Sequence, residues 1–177
     1  MDPIFFTTPR MIFRKFEIDD LDSLAEISSE EEGSRYVGDG KPLSRELTEL
    51  WITRSRLNVD VFGYGTGAVT EKSTGRLIGW AGFSRPKDQE EEIIYGLAQS
   101  RWGKGFGSEL LAGLVIYARD QLKHEELRAT VDPKNVASIR MLLKQNFKLS
   151  DDRYLGDPES HLYTMRIEQA SPTVYKT

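Results

Sequence analysis

The stretch Ser100-Arg101-Trp102-Gly103-Lys104-Gly105-Phe106-Gly107-Ser108-Glu109 places three glycines at alternate positions. It joins an apolar segment that predicts a strand, Glu92 to Ala98, to one that predicts a long helix, Phe106 to Gln121. Glycines leave backbone N–H groups unobstructed, and the first N–H groups of a helix lack intrahelical partners and lie at its positive end. The stretch therefore predicts a turn that cradles a pyrophosphate, with a tight strand-to-helix connection as the alternative.

Two common nucleotide-binding motifs do not fit this turn. A Walker sequence requires Ser or Thr after Gly-Lys, whereas Gly105 follows Gly103-Lys104 and Ala98 stands where the first glycine should be. The dinucleotide fingerprint requires its third glycine one residue later, within alternating strands and helices. The strands predicted before this turn form a meander, so that fingerprint is excluded as well.

The segments on both sides of the turn predict an α+β domain. Strand patterns precede the turn as an antiparallel meander, and the Leu97–Leu127 crossover then sets two strands parallel. We expect a single mixed, mostly antiparallel sheet flanked by about four helices, with a splayed parallel pair that leaves a slot for a ligand. The predicted strands are 11–17, 64–70, 77–83, 92–98, 127–131, 147–154 and 161–167, and the predicted helices run from Leu21 to the acidic stretch 30–33, then over 44–56, 106–121 and 136–145.

The domain is expected to span residues 8–168, followed by a flexible C-terminal tail at 169–177. Residues 170–177 include Pro172 and show no apolar periodicity, which favours a loosely held segment. Within the domain, the helix over 44–56 is predicted to be amphipathic. Its expected inner stripe consists of Leu47, Leu50, Trp51 and Leu57.

The composition excludes several classes of protein. The chain has 177 residues, no cysteine, two histidines and a formal net charge of −4. Without cysteine there is no disulfide scaffold, no thiolate zinc site and no cysteine nucleophile, and His124 and His161 lack ligand spacing, so no metal site is predicted. The most apolar run, Leu110 to Ala118, is too short to cross a bilayer, which needs about 20 residues. We expect a cytoplasmic monomer or homodimer without nucleic-acid or membrane partners.

Trp102-Gly103-Lys104-Gly105-Phe106-Gly107 resembles the acetyl-CoA loop of the GNAT superfamily of N-acetyltransferases, whose pattern is Gln/Arg-x-x-Gly-x-Gly/Ala. Trp102 replaces the first Gln or Arg, as in the branch of ribosomal-protein alanine N-acetyltransferases of the RimJ/RimL type. Three more segments are similar to that branch, and they are Thr8-Pro9-Arg10-Met11-Ile12-Phe13-Arg14, Ile78-Gly79-Trp80-Ala81-Gly82 and Asn135-Val136-Ala137-Ser138-Ile139-Arg140 with Phe147. Asn146 stands where the family has a glycine, and Asn is the other residue that best tolerates a left-handed cap.

The resemblance implies that acetyl-CoA binds at the glycine-rich turn. The N–H groups of the turn would hold the pyrophosphate, while the strand from Ile93 to Ala98 would pair with the pantetheine arm. Arg101 and Lys104 would add positive charge near the phosphates, and Lys134, Arg140 or Lys144 would meet the 3′-phosphate; alternatively, each is a solvated surface cation. Asn135 is implied to bind the arm, although it also suits a helix N-cap. The implied cofactor-binding residues are Leu97, Ala98, Trp102, Gly103, Lys104, Gly105, Phe106, Gly107, Ser108, Asn135, Ser138 and Arg140.

Three residues are expected to carry the chemistry, because an amine must lose its proton before it attacks a thioester. Glu92 matches the Glu of the family's Glu-Ile-Gly-Tyr sequence and is the expected base, directly or through water; the alternative is an exposed charged run, Glu90 to Glu92. Tyr95 is expected to hold the thioester oxygen, or else to be a packed aromatic residue. Ser138 resembles the serine near the cofactor sulfur that bonds or protonates the departing thiolate, and otherwise is a small residue in the first helical turn.

The resemblance implies an enzyme that transfers an acetyl group from acetyl-CoA to a primary amine, either a protein N-terminus or a small amine. Because the chain lacks cysteine, no cysteinyl acetyl-enzyme can form, and we expect direct transfer in a ternary complex. The acceptor is expected between the loops 30–39 and 156–161, where Glu30, Glu31, Glu32 and Asp39 suit a cationic amine. A noncatalytic acyl-CoA-binding module is the alternative.

Overall fold

The computed structural model describes residues 3–85 and 90–167, so the predicted tail at 169–177 lies outside the described residues. The described part contains eight strands and five α-helices. The strands are β1 (Ile4–Thr7), β2 (Met11–Arg14), β3 (Thr66–Glu71), β4 (Leu77–Ser84), β5 (Glu92–Leu97), β6 (Glu126–Val131), β7 (Lys148–Asp151) and β8 (His161–Arg166). The helices are α1 (Leu21–Ser28), α2 (Glu31–Ser34), α3 (Arg45–Phe62), α4 (Phe106–Tyr117) and α5 (Val136–Lys144).

The strands form two antiparallel ladders, in the order β1-β2-β3-β4-β5 and β6-β8-β7. The α+β class and the antiparallel meander before the glycine-rich turn are confirmed. β5 and β6 are neighbours, and an ion pair of 2.5 Å joins Arg128 of β6 to Glu90, two residues before β5. No ladder joins β5 to β6 in the described residues, so the splay between them interrupts the hydrogen bonding of the sheet completely.

Two hydrophobic clusters cover the opposite faces of the first sheet. Leu110, Leu111 and Leu114 of α4 belong to a large cluster that includes Phe13 and Ile93. The second cluster joins α1 and α3 to the other face, and its buried members are Phe16, Leu24, Ile52, Ala68 and Trp80. β5 therefore runs between two packed layers, and the turn that follows it lies at their edge.

The predicted inner stripe of α3 is wrong at three of its four positions, whereas the fourth, Trp51, packs against the second cluster as predicted. Leu47 is 51% exposed, Leu50 42% and Leu57 61%, whereas the helix buries Thr48, Ile52, Ser55 and Val59. Both sets have helical spacing, and the small Thr and Ser side chains permit the closer approach to the sheet. The Thr48 hydroxyl donates to the Ser44 carbonyl at 3.0 Å, so its burial leaves no unpaired donor.

Further differences concern short segments and the ends of helices. Strand β1 was not predicted, and α3 continues to Phe62 instead of ending at Arg56. The acidic stretch 30–33 does interrupt the first helix, but a single helical turn, α2, follows the break. Helix α4 gives way to a π-helical turn, Ala118–Leu122. Among the described residues, no helix combines the length and apolarity needed to cross a membrane.

Candidate active site

The turn between β5 and α4 exposes a row of free backbone donors. Gly103 and Gly105 adopt left-handed conformations with φ of 69° and 81°, which favour glycine. In the described part of the chain, no group accepts a hydrogen bond from the N–H groups of residues 103–108. The row continues into the first turn of α4, where the helix dipole adds positive potential. This geometry suits an anion with several oxygens, such as a pyrophosphate.

A network around Glu109 holds the turn against the N-terminal strands. The Glu109 carboxylate accepts from the Thr8 hydroxyl at 2.6 Å, the Arg10 N–H at 2.9 Å and Arg10 Nε at 2.6 Å. Arg10 Nη1 also donates to the Lys104 carbonyl at 2.9 Å, and its guanidinium lies 4.0 Å above the Phe106 ring. Burial opposes ionisation of Glu109, but the hydrogen bonds from Thr8 and Arg10 outweigh it and lower its pKa. Arg10 thereby fixes the backbone of the turn.

Three of the five cations predicted near the phosphates are already engaged. Arg101 Nη2 lies 2.8 Å from Glu71, and Lys104 Nζ donates to the Ser100 carbonyl at 2.8 Å. Lys134 forms an exposed ion pair of 2.6 Å with Glu159. Arg140 and Lys144 are exposed on α5 and make no ion pair in the described residues. The free backbone donors are therefore the more distinctive feature of the turn.

β5 directs unpaired backbone groups into the slot beside β6. The Ala98 N–H donates to the Ile78 carbonyl at 2.9 Å, and residues of an antiparallel ladder alternate between facing the partner strand and facing away. The N–H and C=O groups of Ile93, Tyr95 and Leu97 therefore point away from β4. Trp102 Nε1 donates to the Leu97 carbonyl at 2.8 Å, which fastens the turn to the end of β5. Trp102 thus holds the turn in place, and its predicted contact with acetyl-CoA stays a prediction.

The start of α5 lies beside β5 and α4. Asn135 is the N-cap of α5, and its Oδ1 accepts from the Ser138 N–H at 3.2 Å. A Cβ added to Gly107 would lie 2.7 Å from Met141 Sδ, so Gly107 permits the close packing of α4 against α5. Two of the predicted catalytic residues, Tyr95 and Ser138, are brought together here.

Tyr95 carries a buried hydroxyl that has no hydrogen-bond partner in the described residues. Burial raises the pKa of the Tyr95 phenol, and the nearby Ser138 hydroxyl partly opposes that rise. Tyr95 therefore stays neutral at physiological pH and is able to donate a proton. An unpaired buried hydroxyl at this place is a feature that a ligand would satisfy.

The structure places Glu92 apart from Tyr95 and Ser138. Glu92 borders a cavity of about 240 Å³ between the first residues of β5 and β6, together with Glu90, Glu91, His124 and Arg128. Glu92 and Tyr95 are three positions apart, which corresponds to about 10 Å along a strand. The role of Glu92 as the base therefore stays a prediction. At this distance, a water molecule would have to carry the proton to Glu92.

Three of the four acidic residues predicted to face the acceptor are engaged, and the fourth, Glu31, makes no ion pair in the described residues. Glu30 Oε2 accepts from the Gln99 N–H at 2.8 Å, which draws the loop after α1 onto the end of β5. Glu32 lies 3.6 Å from Arg35, and Asp39 lies 3.7 Å from Lys41. A second cavity, of about 90 Å³, opens between this loop and β5, and residues 156–161 do not border it.

Sequence reasoning did not identify four residues around this site as functional. They are Arg10, which braces the turn, and Ser28, Trp51 and Trp80, which border the second cavity. Arg10 and Trp80 were noticed only within segments that resemble the family. Gly96 is the sequence feature that could have identified Trp80, because a glycine inside a strand marks the close approach of another group to the strand. A Cβ on Gly96 would lie 2.6 Å from the Trp80 ring.

Known proteins resemble this chain over most of its length. The profile of the family described as "Acetyltransferase (GNAT) domain" matches residues 10–148. The chain is 31% identical over 149 residues to "Uncharacterized N-acetyltransferase p20" of Bacillus licheniformis, covering 80% of each chain. An acetyltransferase structure from Agrobacterium tumefaciens aligns with a TM-score of 0.77 at 22% identity, over 94% of this chain and 96% of that one.

A further structure with the same fold is RimL, a ribosomal L7/L12 α-N-protein acetyltransferase in complex with coenzyme A. It aligns with a TM-score of 0.78 at 17% identity, over 93% of this chain and 98% of that one. At such identities the two structural likenesses concern the fold alone.

Proposed function

Because the chain belongs to the acetyltransferase (GNAT) domain family, we propose that it transfers the acetyl group of acetyl-CoA directly to a primary amine. The observation that carries this proposal is the row of free N–H groups over residues 103–108 at the N-terminus of α4. Such a row binds a pyrophosphate through charge-assisted hydrogen bonds. The residues of the turn fit the group, since Gly103 has open space where a Cβ would stand.

The slot and α5 would position the rest of the ligand. The outward N–H and C=O groups of Ile93 and Tyr95 suit the amides of a pantetheine arm, which would lie along β5 as an added strand. Asn135 has its Oδ1 committed to the helix cap, so its amide nitrogen is the group left for the arm. Arg140 and Lys144 would face the 3′-phosphate.

Acetyl-CoA supplies an acyl group activated as a thioester. In the proposed transfer a C–N bond forms with the amine and the C–S bond breaks, so one proton leaves the nitrogen and one reaches the sulfur. Tyr95 or Ser138 gives the proton to sulfur, because the Tyr95 phenol is neutral and both hydroxyls lie together. Glu92 receives the amine proton through water.

Substitution of Gly105 tests the cradle. Gly105→Glu would put a side chain and a negative charge among the free N–H groups, so we expect the affinity for CoA to fall about 100-fold or more in calorimetry. Gly63→Glu is the matched control, because Gly63 has the same φ of 81° and open surroundings at the end of α3. Equal affinities for the two variants would refute the assignment of the turn.

A noncatalytic acyl-CoA-binding module is the alternative, although the family of this chain is one of acetyltransferases. The two candidates differ in turnover. Thiol release from acetyl-CoA with a panel of amines, N-terminal peptides and polyamines tests them. Release that depends on an amine supports the transferase, whereas CoA binding without release on any acceptor supports the module.

A further inference from the structure

The cavity of about 90 Å³ lies beside β5 on the face covered by α1 and α3. Gly96 and Leu97 form part of its wall, so it adjoins the stretch of β5 proposed to hold the pantetheine arm. The space corresponds to about three water molecules in the liquid. An acceptor side chain of a few heavy atoms would fill it.

The walls of this cavity are largely apolar and aromatic. Trp51 and Trp80 meet edge to face with ring centroids 5.0 Å apart, and Ile27 and Val37 complete the wall. Gly96 is required for this arrangement, because any larger residue would collide with the Trp80 ring. Rigid aromatic rings recognise apolar groups through contact area and at little cost in side-chain entropy.

One polar side chain in the wall lacks a partner. Ser28 is 7% exposed, and its Oγ is buried without a hydrogen bond in the described residues. The Ser28 carbonyl is satisfied, since it accepts from Ser34 Oγ at 2.9 Å and from the Leu43 N–H at 3.0 Å. A buried hydroxyl left unpaired is unfavourable, so a ligand with a hydrogen-bonding group would gain from pairing with it.

The charge of the cavity does not suit a polycation. Among the residues that border the cavity, Asp39 is the carboxylate and Lys41 is the cation. Their charged groups lie 3.7 Å apart, so the two charges balance each other. Glu30 is held outside by the Gln99 N–H. A second ammonium group would enter an apolar space without a free carboxylate to receive it, which is costly.

We propose that this cavity selects the acceptor: a primary amine whose neighbouring substituent is a compact apolar side chain, with one polar group that hydrogen-bonds to Ser28. α-Amino amides such as leucine amide belong to this class, and polyamines do not. The inference rests on the proposed function and names the acceptor class of the same site.

The test compares acceptors and variants at saturating acetyl-CoA. We expect kcat/KM to be about tenfold or more higher for leucine amide than for spermidine. Ser28→Ala should lower kcat/KM for leucine amide about tenfold, as loss of one hydrogen bond implies, without changing the KM for acetyl-CoA. Ser55→Ala is the control, because Ser55 is also buried but lies on α3 outside the cavity wall. Trp51→Phe should lower the preference for leucine amide over spermidine.

Failure of this inference and failure of the proposed function give different results. Higher kcat/KM for spermidine, or equal effects of Ser28→Ala and Ser55→Ala, would overturn the inference and leave the transferase activity intact. Absence of thiol release with every amine would overturn the proposed function. In that case, titration of the intrinsic tryptophan fluorescence with leucine amide in the presence of CoA still tests the cavity. A saturable change that Ser28→Ala weakens supports the inference, and no change refutes it.

Discussion

Three buried side-chain atoms lack a hydrogen-bond partner in the described residues, namely Ser28 Oγ, Tyr95 Oη and Arg101 Nε. All three belong to β5, to the turn that follows it or to the cavity beside it. Folded proteins satisfy most buried polar atoms, so exceptions on both faces of one strand and in the turn after it indicate that ligands bind around β5. Tyr95 was predicted from a motif, whereas Ser28 ends α1 without any pattern that marks it. Its function depends on the tertiary packing of α1 and α3.

Removal of the Tyr95 hydroxyl tests whether this group acts in the reaction or only in the stability of the fold. Tyr95→Phe deletes a buried group that makes no hydrogen bond, so the melting temperature should not fall. If Tyr95 gives a proton to sulfur, kcat should fall about 100-fold with little change in CoA affinity. Tyr117→Phe, on α4 within the core, is the control. Equal kcat for both variants would remove Tyr95 from the proposed mechanism.

Among the elements, the junction of β5, the turn and the start of α4 was predicted accurately, although α4 ends at Tyr117 and not at Gln121. Its glycines require left-handed conformations and its helix requires a free N-terminus, and both requirements are local. The inner face of α3 was not predictable in this way. Two sets of residues there share helical spacing, and Thr48 and Ser55 are buried because the sheet approaches closely. β1 was missed because four residues of an edge strand carry little periodicity.

The hydrogen bonds of Glu109 stabilise the β5–turn–α4 unit, and this stabilisation is sensitive to acid. The pKa of Glu109 is lowered below its ordinary value of 4.5, so its stabilisation is complete above that pH and is lost as the pH falls through the lowered pKa. Glu109→Gln should lower the free energy of unfolding at pH 7 by about 1 kcal/mol. The variant should also lose less stability than the wild type between about pH 5 and pH 3.

Chemical denaturation at several pH values measures this effect. Glu49→Gln is the control, because Glu49 is exposed on α3 and makes no ion pair in the described residues. A difference between wild type and Glu109→Gln that stayed constant down to pH 3 would show that the carboxylate does not act through its ionised form.

At the scale of the whole molecule, the net charge of −4 conflicts with a polyanionic ligand unless positive potential is local. The expected cations Arg101 and Lys134 are paired with Glu71 and Glu159. The backbone N–H groups of the turn are therefore a main source of that potential, beside the side chains of Arg140 and Lys144. The antiparallel meander of β2 to β5 followed from the sequence, whereas the inner face of α3 did not. The extent of the splay between β5 and β6 did not follow either, because pairing across a crossover depends on non-local packing.

Amide hydrogen exchange across the whole chain, with and without acetyl-CoA, tests the central claim most directly. Without ligand, the N–H groups of residues 103–108 should exchange rapidly, because no described group accepts from them. With acetyl-CoA, protection should appear at this turn and along the outward groups of β5, while the exposed α3 surface stays unchanged. Rapid exchange at residues 103–108 in the presence of saturating acetyl-CoA would contradict the account.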